Sequence, residues 1–123
     1  MTKQYKKEEF DCKDGSEMPE EVYNNVKKLA INLELIRAFF NAPIKINSGY
    51  RSPNYNKKVG GAKNSQHLKG KAADIVVKGF TPKQVADAIE GLIRVGVISE
   101  GGVGRYETFV HYDIRGEKAR WNG

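Results

Sequence analysis

The 123-residue sequence has one cysteine, Cys12, and only two histidines, His67 and His111. A single thiol excludes an internal disulfide and any zinc site closed by several cysteines, and Cys12 is read as incidental to function. No apolar run approaches the roughly 20 residues that a membrane-spanning helix needs, so membrane insertion is not expected. The charged N-terminus, Met1 to Phe10, is followed by no apolar stretch of the signal-peptide kind, which predicts synthesis in the cytoplasm without a signal peptide. Acidic residues are outnumbered 15 to 21 by basic ones, giving a formal net charge of +6. Such a balance suits polyanions, whether nucleic acid or phosphate-rich wall polymers. The lysines come in scattered pairs, Lys6-Lys7, Lys27-Lys28 and Lys57-Lys58, with no nucleic-acid reader motif, so nucleic acid is not the expected partner.

What is present fits one soluble domain spanning residues 1–123, with 39% hydrophobic and 29% charged residues. Residues 1–18 read as an extended, polar lead-in with a turn at Lys13-Asp14-Gly15-Ser16. From Pro19, taken as the first helical residue, Val22, Val26, Leu29, Leu33, Ile36 and Phe40 recur at helical spacing and predict a core-packed helix. Ile44-Lys45-Ile46-Asn47 alternates as a strand does and should end at Ser48-Gly49. Arg51 to Lys71 is polar, rich in glycine and aperiodic, and reads as a long functional loop. Strand character returns at Ala72 to Val77. Thr81-Pro82-Lys83-Gln84 has the form of a capping box opening a second helix with Val85, Ile89 and Leu92 on one face and its end before Gly96. Val97-Ile98, Gly102-Val103-Gly104 and Phe109 to Asp113 read as short antiparallel strands. The fold class is therefore α+β.

Chemistry concentrates in three side chains. His67 and Asp74 are seven residues apart around Gly70, so a loop running into a strand can bring imidazole and carboxylate together. His111 lies in a strand beside Phe109 and Val110, where a half-buried imidazole needs a polar partner. Two histidines and an aspartate are a zinc ligand set that leaves a fourth coordination position for water, as catalytic zinc sites do. With a two-residue period, Glu107 and Asp113 both fall on the face that carries His111 and are candidates for the proton-transferring carboxylate.

The stretches Ser48-Gly49-Tyr50-Arg51-Ser52-Pro53, Ser65-Gln66-His67-Leu68-Lys69-Gly70-Lys71-Ala72-Ala73-Asp74, and Gly102-Val103-Gly104 through Phe109-Val110-His111-Tyr112-Asp113 to Arg120-Trp121 occur in that order. Over about residues 44–121 the chain resembles the M15 metallopeptidases, in particular the small D-alanyl-D-alanine carboxypeptidase-like and murein endopeptidase-like proteins. The resemblance implies a hedgehog/DD-peptidase-type fold, with helices on a small, mainly antiparallel sheet, and Zn2+ held by His67, Asp74 and His111. It implies that Arg51 steadies a substrate carboxylate or the oxyanion and that Ser65 contacts substrate. Many members carry their base three residues before the last histidine, where this sequence has Thr108. Asp113 is preferred as the base because His-x-Asp marks the murein endopeptidase-like subgroup, with support of a ligand histidine as its alternative duty.

The implied activity is hydrolysis of amide bonds in peptidoglycan stem peptides or cross-links, by an endopeptidase first and a D-Ala-D-Ala carboxypeptidase second. The chain is expected to be a monomer that acts at the bacterial cell wall, in the manner of a phage or prophage lytic enzyme released by a partner. The alternative is a non-catalytic, zinc-containing module that binds wall or builds a phage particle, since a fold can outlive its chemistry.

Overall fold

A computed structural model describes residues 1–123. Three α-helices, α1 (Glu20–Phe40), α2 (Pro53–Lys58) and α3 (Pro82–Arg94), surround a sheet of β1 (Ile44–Ser48), β2 (Ala72–Val77), β3 (Gly102–Arg105), β4 (Val110–Asp113) and β5 (Ala119–Asn122). The strands run in the order β1-β2-β4-β3-β5. Every neighbouring pair is antiparallel except β3 and β5, which are parallel, so the α+β class stands with a mixed sheet.

The apolar stripe of α1 packs on this sheet: Val26, Leu29, Leu33 and Ile36 are fully buried, as are Ile75 and Val110 from the strands. Pro19 sits one residue before the helix, and its carbonyl accepts from the Tyr23 N–H at 2.9 Å. Asn41 ends α1 in the left-handed conformation, φ 50°, one of the few non-glycine residues that tolerate it. In α3 the capping box forms as read, Thr81 Oγ accepting from the Gln84 N–H at 3.2 Å and Gln84 Oε1 from the Thr81 N–H at 2.9 Å.

Four expectations need correction. The lead-in segment is not simply extended and polar. Tyr5, Phe10, Cys12 and Met18 are buried in the main core, and a 3-10 turn spans Lys7–Phe10. Its lysines and glutamates face outward and mask this pattern in the sequence. The stretch 51–71 is not all loop. Ser52 caps α2 by accepting from the Tyr55 N–H at 3.1 Å, Pro53 opens it, and a 3-10 turn spans Gln66–Lys69. With six residues and no apolar stripe, α2 leaves no periodic signal. Val97-Ile98 is a turn, not a strand, both N–H groups reaching back to the Leu92 carbonyl at the end of α3. The strand at Ala119–Asn122 was not anticipated, and its parallel pairing with β3 departs from an all-antiparallel end.

Candidate metal centre

Six of the ten residues from Ser65 to Asp74 have a structural reason on this path: Ser65, His67, Gly70, Ala72, Ala73 and Asp74. Ser65 caps the 3-10 turn, its hydroxyl accepting from the His67 N–H at 3.2 Å, and so fixes the turn that presents His67. Gly70 ends that turn at φ +73° directly against α1, where a Cβ would lie 2.7 Å from Val22 and 3.0 Å from Val26. Only glycine meets both the conformation and the space. The chain then enters β2, burying Ala72 and Ala73 completely, and Asp74 emerges opposite His111 of β4.

His67, Asp74 and His111 are all buried, and one donor atom from each lies within 4.8 Å of the others. Asp74 Oδ1 is 3.3 Å from His67 Nε2 and 3.2 Å from His111 Nδ1. Those separations match the edge of about 3.3 Å expected for a tetrahedron whose zinc bonds are about 2.0–2.1 Å long. The remaining nitrogens are already engaged. His67 Nδ1 meets the Gly49 carbonyl at 2.7 Å, and His111 Nε2 meets Asp113 Oδ2 at 2.7 Å. If each of those nitrogens carries the proton and donates, both imidazoles offer their free lone pairs to one point. The chemistry of the donor set and its two measured edges fit a zinc ion.

Burial raises the Asp74 pKa, but the His111 and His67 imidazoles beside it outweigh that and hold the carboxyl well below the usual range. His111 is shifted the other way: burial disfavours its cation, and the Asp113 and Asp74 carboxylates overcome that. Asp113 is wholly inaccessible and takes five hydrogen bonds: from His111 Nε2, the Gly102 N–H at 2.8 Å, and the backbone N–H, Nε and Nη2 of Arg115 at 3.1, 2.9 and 2.7 Å. Burial pushes its pKa up, but these partners bring it well below the usual carboxylate range.

Arg51 braces the outer oxygen of the ligand set. Its Nη2 lies 3.4 Å from Asp74 Oδ2, its Nε 3.3 Å from Ser48 Oγ and its Nη1 3.3 Å from Asn56 Oδ1. Glu107, by contrast, is exposed in the turn after β3 and outside the cleft, because β4 begins only at Val110 and the strand period does not extend back to it. The cleft above the three donors encloses about 730 Å³. Arg51, Lys63 and Arg115 line it, and Asp74 is its only carboxylate.

The model of the family described as Peptidase M15 matches residues 3–113. The chain belongs to the M15 peptidase family. The match begins far upstream of residue 44, so the buried N-terminal segment lies within the family's domain. A probable peptidoglycan L,D-endopeptidase, MepK, of Haemophilus influenzae is 36% identical over 99 residues, covering 75% of this chain and 50% of the relative. The chain thus spans about half the length of this curated relative. The murein endopeptidase-like resemblance is therefore upheld. Sequence reasoning missed three contributors to the M15 site: the Gly49 carbonyl, Arg115 and Tyr106. A backbone acceptor carries no sequence signal. Tyr106 lines the cleft and stacks on Phe109, and its position two residues after Gly104 was the available clue to its face.

Proposed function

We propose that this M15 chain is a zinc-dependent peptidase that hydrolyses amide bonds in peptidoglycan stem peptides or cross-links, as an endopeptidase before a carboxypeptidase. The observation that carries the proposal is the convergence of His67 Nε2, Asp74 Oδ1 and His111 Nδ1 with both outer imidazole nitrogens tied to acceptors. The relative named as a peptidoglycan L,D-endopeptidase supports the endopeptidase choice. The hedgehog/DD-peptidase-type fold, the single-domain assignment, the monomeric state and release in the manner of a phage lytic enzyme belong to the same proposal.

When bound, zinc would lower the pKa of a coordinated water to about 7 and polarise the scissile carbonyl. His67, Asp74 and His111 would hold it. Arg51 keeps Asp74 Oδ1 turned toward the centre by engaging Oδ2, and its position in the cleft suits it to an oxygen of the substrate. Ser65 serves the site through the turn that carries His67 and also lines the cleft. In place of the proton transfer first read for Asp113, we assign it the positioning of His111, because its carboxylate is sealed from solvent and engaged by five donors.

A second reading, a non-catalytic wall-binding or phage structural module, is favoured by one observation: the cleft holds no carboxylate apart from Asp74. Incubating the zinc-loaded protein with purified peptidoglycan, and following new amino termini and fragment masses by mass spectrometry, separates the two. Cleavage that disappears in Asp74→Ala is expected, and the masses distinguish endopeptidase from carboxypeptidase. Intact peptidoglycan from several wall types after treatment with a zinc-replete protein would leave the binding module.

A further inference from the structure

One wall of the cleft is built around Trp121, the only tryptophan of the chain. Gly104 of β3 lies beneath the indole, where a Cβ would come within 2.5 Å of the ring. The ring leans on His111 with 4.8 Å between centroids. Its Nε1–H donates to Tyr106 Oη at 2.9 Å, and Tyr106 in turn stacks on Phe109 at 4.4 Å and 10°. The Arg115 guanidinium lies 5.5 Å from the centre of the indole.

Two groups on this wall have donors to spare. Tyr106 Oη accepts from Trp121, and its own O–H proton has no acceptor within the protein. Arg115 spends Nε and Nη2 on Asp113, while Nη1 is unpaired and the side chain keeps 29% of its surface exposed. Lys63 lines the same cleft and adds positive charge. Spare donors on residues lining a cleft that has a single carboxylate call for a ligand that brings oxygen lone pairs.

We propose that Arg115 and Tyr106, set around Trp121, form a subsite for a carboxylate-bearing residue of the peptide, separate from the contact made by Arg51. The inference rests on the peptidase reading and names the chemistry of one substrate residue. Arg115 then has two roles, holding Asp113 with one edge and meeting substrate with the other, which explains why arginine and not lysine suits the position.

Trp121 fluorescence supplies the test. The zinc-loaded protein is titrated with two otherwise identical synthetic stem peptides, one with a free side-chain carboxylate and one with that group as carboxamide. Tighter binding of the acid by about tenfold is expected, the scale of one charge-assisted hydrogen bond. Tyr106→Phe and Arg115→Lys should each shrink that preference, and zinc content measured alongside identifies any variant whose metal site has been disturbed. Equal binding of the two peptides overturns the subsite and leaves the peptidase reading intact. A preference for the acid that survives both substitutions with zinc retained assigns the carboxylate to another cation of the cleft, Arg51 or Lys63, and also overturns it. If neither peptide binds and peptidoglycan is not cleaved, the peptidase reading fails and the subsite fails with it.

Discussion

Asp113 shows how much a side chain's role depends on what surrounds it. In the sequence it is a strand carboxylate two residues from a ligand histidine, a fair candidate for a base. In the fold it has no access to solvent and every approach is filled by a donor. If it positions His111, Asp113→Asn should weaken zinc binding by about 10–100-fold, the usual effect of losing a group that orients a ligand. Competition with a chromogenic chelator measures this, and unchanged zinc affinity with lost cleavage would restore the base role. Tyr5 and Tyr112 make a second residue-scale case. Burial raises both pKa values, helped at Tyr112 by the charges of Asp113 and Glu100, and opposed at Tyr5 by Arg37. A raised folded-state pKa means a contribution to stability that is complete below the unfolded value of about 10 and is lost as pH climbs above it. Absorbance at the phenolate band should therefore show these two tyrosines ionising only together with alkaline unfolding.

At the scale of elements, the periodic ones were legible and the short ones were not. The α1 stripe could be read from its repeating apolar face, the Thr81–Gln84 box from its capping residues, and the strands carrying Asp74 and His111 from their short apolar runs. Helix α2, the turn at Val97-Ile98 and β5 are held by caps, backbone contacts and pairing with a distant strand, none of which leaves a repeat. The cluster of His67, Asp74 and His111 was legible for a different reason: few residue types bind metal, and the chain has only two histidines. The atoms that orient them were hidden, since a Gly49 carbonyl and an arginine two residues beyond Asp113 acquire meaning only in the fold. Gly70 tests this level directly. Gly70→Ala forces a side chain into the left-handed region and onto α1, and should cost about 2–4 kcal/mol in a denaturation experiment.

For the whole molecule, the N-terminal segment and the metal centre are one unit. Phe10 is fully buried, its carbonyl accepts from the Tyr50 N–H at 2.8 Å, and its backbone lies where a Cβ on Gly49 would come within 2.8 Å. Gly49 in turn is the partner of His67. Phe10→Ala should therefore destabilise the protein by about 3–5 kcal/mol and lower zinc affinity in the folded fraction, read by thermal unfolding with and without chelator. The opposite end of the chain is equally tied in. Strand β5 touches the sheet only through β3, and it brings Trp121 beside His111. Chains emerge from the ribosome N-terminus first, at about 5–20 residues per second, and domains begin to fold as they do. The three clustered side chains His67, Asp74 and His111 exist once residue 111 has been made, but the wall beside them waits for residues 119–122. A growing chain thus holds all three donors before the groove beside them has its wall, and the strand that follows them shapes what the groove can hold.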